Sequence, residues 1–129
     1  MRSEEVFDIC LERFRGLRGW LDGRMRAIDM TVPGASGYQW RPERARAQEY
    51  VADFEIAGLR ALARPVWEGR RRMFSVYYLR GIEYRRAIAL VGVPSGTFDY
   101  WAAQIRKTVG REFERSGLFP PWRYFNLHS

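Results

Sequence analysis

The side chains with chemistry to offer in this sequence are arginines. Of its 22 cationic residues only Lys107 is a lysine, against 15 acids, one histidine and one cysteine. Arginine presents a planar fork of donors that matches phosphate oxygens; a GC-rich codon bias would produce the same usage. The parts of other chemistries are missing. A lone Cys10 and a lone His128, one residue from the end, make neither a zinc site nor a Cys/His catalytic pair. No phosphate-cradling glycine loop or cleft-forming acid pair stands out, and Glu112 and Glu114, two apart on a helix, point to different faces. Neither an enzyme nor a cofactor nor a metal is expected.

The cations are unevenly placed. Residues 1–64 hold eleven of them against ten acids, residues 65–129 eleven against five, so nearly all of the net charge of +7 belongs to the second half. Such a basic half is the electrostatic footprint of a nucleic-acid partner. Arg70, Arg71 and Arg72 fill one helical turn and read either as a solvated face or as phosphate contacts. Arg85 and Arg86 open a short helix, where a backbone contact is geometrically sensible. Ser95, Gly96, Thr97, Asp99, Tyr100, Gln104, Arg106, Lys107 and Arg111 belong to the helix after it and are the candidate DNA-facing set.

Helices must position these residues, because apolar residues recur at three- and four-residue steps and almost no segment alternates as a strand would. The first helix carries Phe7, Cys10, Leu11, Phe14, Leu17, Leu21, Met25 and Ile28, with Cys10 an inert packed thiol. Gly16, Gly19 and Gly23 weaken it, each by ~1 kcal/mol relative to alanine, and a break near Gly19 or Gly23 is expected. Asp29 to Pro42 reads as a loop docked by Tyr38 and Trp40. A second helix spans about Pro42–Arg64, with Ala47, Tyr50, Val51, Phe54, Ala57, Gly58, Ala61 and Leu62 as its stripe. A third runs from about Val66 to Arg80 and ends at Gly81, a fourth covers Glu83–Val91, and a fifth covers Ser95 to about Arg115. The tail from Leu118 reads as nonhelical, its Trp122, Tyr124 and Phe125 either folding back over the N-terminal helices or facing a partner. The expected architecture is all-α with about five helices: an N-terminal helical hairpin over residues 1–64, a helix-turn-helix unit over 65–117 and an aromatic tail over 118–129.

The fourth and fifth helices form the outline of a helix-turn-helix, which sets its second helix into the major groove of double-stranded DNA. Ile88 and Val91 would meet Phe98 and Trp101 to brace the pair. Gly92 permits a sharp turn with positive φ. Ser95 is placed to accept from the first free N–H groups of the recognition helix, leaving Ser95, Gly96, Asp99, Tyr100, Ala103, Gln104 and Lys107 outward.

This segment resembles the region-four-type helix-turn-helix of bacterial sigma factors. The resemblance lies in Gly81-Ile82-Glu83-Tyr84, then the turn glycine Gly92 eight residues after the tyrosine, then Val93-Pro94-Ser95-Gly96-Thr97-Phe98, with Arg106-Lys107 as the later basic pair. It covers roughly residues 66–113. It implies promoter DNA as partner and contact with RNA polymerase or a sigma factor. Ile88 stands where the family has a small residue, and Asp99-Tyr100-Trp101 where it has basic and small ones, so base specificity does not carry over. Asp99 would repel phosphate but could accept from a cytosine amino group. The small, arginine-rich chain is also similar to phage or prophage transcription regulators. Three functions are open on these residues: a transcription regulator, an antiterminator-type module bound to polymerase, and a small-terminase-like packaging subunit. A homodimer is compatible with each. No apolar run is long enough to cross a bilayer and no signal-peptide core follows Met1, so a cytoplasmic location is expected.

Overall fold

Phenylalanine spacing decides how the helices meet. The structure, a computed structural model, describes residues 1–29 and 42–124, the side chains of residues 24–29 and 42 excepted. It contains α1 (Ser3–Asp29), α2 (Pro42–Ala61), α3 (Glu68–Met73), α4 (Tyr84–Val91) and α5 (Ser95–Ser116), and no strand among the described residues. Each long helix places a phenylalanine where the three meet: Phe54 of α2 stacks on Phe14 of α1, centroids 4.3 Å apart, and lies 4.8 Å from Phe113 of α5. Phe7 completes the cluster against Phe113 and Tyr78. One buried apolar cluster runs from Val6 to Leu118 and draws on all five helices, so residues 1–64 and 65–117 share a single core.

Among the described residues α1 packs most extensively against α5. Gly110 of α5 lies against the Ser3 carbonyl, and a Cβ on it would overlap that oxygen. Acidic Glu4 and Glu5 fill the first turn of α1, where the helix dipole favours them. α1 does not break at Gly19 or Gly23: it is continuous to Asp29, since the pairing of its apolar stripe with α5 and α2 outweighs a few glycine penalties.

The third expected helix has three geometries rather than one. A 3₁₀ turn, Pro65–Trp67, precedes α3, and a widened π turn, Phe74–Leu79, follows it. Arg80 N–H donates to the Ser75 carbonyl at 3.0 Å, the five-residue span of a π turn. Phe74, Val76 and Tyr78 are all buried within this turn; Phe74 and Tyr78, four apart, share one face and Val76 is buried on the other. The tail also departs from expectation: Pro121–Tyr124 is a 3₁₀ turn, not irregular chain. Tyr124 folds back on α2, its ring edge on Tyr50, its hydroxyl donating to Asp53 at 2.8 Å and its carbonyl accepting from Arg46 at 3.0 Å. Trp122 stays exposed. The Tyr38–Trp40 docking, the side chains of Met25 and Ile28, Phe125 and His128 fall outside what is described.

Candidate nucleic-acid interface

α4 begins with two cations where its dipole disfavours them. Glu83 offsets this as the cap: its carboxylate accepts from the Arg85 and Arg86 backbone N–H groups at 3.0 and 3.2 Å. These bonds hold the Glu83 carboxyl below its usual range. The Arg85 and Arg86 side chains remain exposed and make no ion pair among the described residues.

The turn after α4 follows the expected form. Gly92 has φ +78° and its N–H closes on the Ile88 carbonyl at 2.9 Å; a side chain there would be strained. Ser95, however, does not cap α5. Pro94 occupies the cap position with extended backbone, its carbonyl accepting from Phe98 N–H at 2.9 Å, and no side chain caps the helix. Pro94 has the fixed φ that suits this corner, and Ser95 is the first helical residue.

α5 is two-sided. Phe98, Ile105, Val109 and Phe113 are buried, whereas Ser95, Gly96, Asp99, Tyr100, Ala103, Lys107 and Arg111 are exposed, with Thr97 and Gln104 half-buried. Tyr100 is 62 % exposed. Tyr100, Gln104, Lys107 and Arg111 recur at steps of four, three and four, so they form one stripe. Lys107 and Arg111 make no ion pair among the described residues.

Other expected contacts are already engaged within the chain. Arg106 donates twice to Asp8 of α1, at 3.0 and 2.6 Å, which removes it from the free cations of α5. Arg71 donates to the carbonyls of Leu62 and Arg64 at 2.7 and 2.6 Å, closing the end of α2. The Arg70 guanidinium lies within 5 Å of both the Trp67 and the Trp101 ring centroids and donates through Nε to Gln104 Oε1 at 2.7 Å. Gln104 in turn donates to the Tyr100 hydroxyl at 3.3 Å. Among the described residues Arg72 is the exposed member of the arginine triplet and makes no ion pair. Asp99 is exposed, and its Oδ1 accepts from the Tyr84 hydroxyl at 2.7 Å, which ties the start of α4 to the first turn of α5 and raises the Tyr84 phenol above its ordinary range.

Two features escaped the sequence reading. One is the alternation Arg64–Trp67–Arg70–Trp101, in which each guanidinium lies about 5 Å from an indole centroid. The i, i+3 spacing of residues 64, 67 and 70 was its visible trace. Gly69 makes room for it, because a Cβ there would meet the Trp101 ring at 2.7 Å. The other is the Tyr84–Asp99 tie, which joins residues fifteen apart and has no local signature. The described residues hold no group of His, Cys, Asp and Glu able to bind a metal, and no helix long and apolar enough to cross a membrane. No family model, curated protein or solved structure matches the chain.

Proposed function

We propose that the chain is a DNA-binding transcription regulator that presents α5 to the major groove and anchors on phosphates through Arg85, Arg86, Lys107, Arg111 and Arg72. The observation that carries this reading is the uncovered face of α5. It directly follows a short capped helix and a left-handed glycine turn, and it ends in two cations with no internal ion pair. Arg85 and Arg86 add support, because both stand exposed without an ion pair among the described residues at the start of the bracing helix, where a phosphate contact is geometrically sensible. Arg70, Arg71 and Arg106 act as braces: they hold α3, the end of α2 and α1 in place around the reading helix.

Selection of bound fragments from random-sequence duplex DNA at two salt concentrations tests the reading. Enrichment of a common site at the higher salt supports it. Recovery of unrelated sequences at both concentrations opposes sequence-specific regulation.

A second reading, contact with RNA polymerase or a sigma factor in the manner of an antiterminator, is favoured by Asp99 and Tyr100. An acid and a largely exposed tyrosine on the leading turns of α5 suit a protein surface better than a phosphate backbone. Capture of purified polymerase that survives Arg85→Glu with Arg86→Glu would favour it over DNA binding.

A further inference from the structure

α2 is apolar on two opposite faces. Ala47, Tyr50, Phe54 and Ala57 enter the core. A surface helix then turns polar residues outward, yet a line of Ala45, Ala52, Ile56 and Leu59, with Ala63 just beyond the helix end, is apolar and exposed, interrupted only at the level of Gln48 and Glu49. Ile56 is 57 % and Leu59 37 % exposed. Their steps of seven, four, three and four residues are the repeat by which one helix packs along another. Single exposed leucines are ordinary; an apolar line at pairing spacing, on the face away from the core, is not.

The charges beside this line select its occupant. Glu49 and Asp53 stand on one edge in the first part of α2, and Arg60 stands on the same edge in the last turn. A twofold axis perpendicular to α2 brings that edge against its own copy with the helices antiparallel. With Ile56 opposite the partner copy's Leu59, Asp53 then lies alongside the other copy's Arg60, and symmetry makes the pair twice. Both groups remain reachable: Asp53 accepts from Tyr124 through Oδ2, and Arg60 approaches Glu112 at 3.6 Å with its side chain 59 % exposed. A parallel pair would instead set this edge against Glu55, which is already bound to Arg18 at 2.9 Å.

We infer that two copies of the chain associate through antiparallel α2 helices, with the Ile56–Leu59 line as the seam and Asp53–Arg60 pairs at its edge. Within α2 the line from Ala45 to Leu59 covers about 21 Å at 1.5 Å per residue, which sets the interface at the small end of specific ones, below about 1,200 Å². The association is therefore concentration-dependent. It involves α2 alone and stands apart from the DNA-binding reading, which concerns α4 and α5.

Sedimentation of the full chain over a thousandfold concentration range tests it. A monomer–dimer equilibrium is expected, weakened at least tenfold by Ile56→Glu with Leu59→Glu while helical content and unfolding temperature hold. A monomer at every concentration, or a dimer indifferent to the double variant, overturns the inference. Orientation is read by oxidising a mixture of Ala52→Cys and Ala63→Cys chains, since the native Cys10 is buried. Cross-links between unlike variants are expected; cross-links only between like variants overturn the antiparallel arrangement.

Discussion

The Arg70 guanidinium lies 4.8 Å from the Trp67 ring centroid and 4.9 Å from that of Trp101, and so fastens α3 to the exposed half of α5. Its Nε bond to Gln104 extends the tie to the outward stripe. Arg70→Ala should lower stability by about 1–2 kcal/mol, from two partly exposed cation–π contacts and one charge-assisted hydrogen bond. Arg70→Lys should not restore it, because an ammonium lacks the planar guanidinium that reaches both indoles while its Nε donates to Gln104. Chemical denaturation of the three proteins checks both statements.

Gly110→Ala places a methyl group on the Ser3 carbonyl and should force α1 away from α5. Overpacking of this kind costs about 1–3 kcal/mol. Gly16→Ala, in the same fold but with open space around the added carbon, should instead leave the protein as stable or slightly more so. Paired thermal melts separate the two.

Glu83 gives a pH dependence whose sign follows from its cap. Its carboxyl is held below the ordinary carboxylate range by the Arg85 and Arg86 N–H groups. A carboxyl with a depressed folded pKa stabilises the fold fully above the unfolded value, and that contribution is lost as pH falls through the folded value. Wild type and Glu83→Gln should therefore differ in stability at neutral pH and converge only once pH has fallen below the depressed folded value of Glu83. A difference that persists unchanged into acid would contradict the cap.

Cys10 is buried beneath Tyr50, and burial pushes its thiol up to about 11. Thiolate is the reactive form, so alkylation at pH 8 should proceed only at the rate of unfolding. Modification kinetics with and without denaturant measure this.

How much of this was readable beforehand depended on range. The 3.6-residue periodicity of Phe7, Phe14, Phe54, Phe98 and Phe113 carried the all-α architecture, and Gly92 carried the turn, because both are local. The same locality misled at Ser95, where Pro94 takes the cap, and at residues 74–79, where the backbone widens into a π turn instead of continuing the α-helix. Arginine roles were the least legible. Arg71, Arg85 and Arg106 look alike in the chain, and only tertiary neighbours turn the first into a helix stop and the last into an α1–α5 brace, leaving Arg85 exposed.

The central claim is that α4 and α5 hold a duplex through exposed cations, and the salt dependence of DNA binding tests it most directly. Fluorescence anisotropy of a labelled duplex, titrated with the protein from 50 to 200 mM salt, should give a steep linear fall of log affinity with log salt. Each phosphate contact contributes a slope of about −0.9, so Arg85→Ala and Arg111→Ala should each make the slope shallower by roughly 1, while Glu114→Ala should leave it unchanged. Binding that is absent at the lowest salt, or whose slope none of these substitutions alters, would contradict the account.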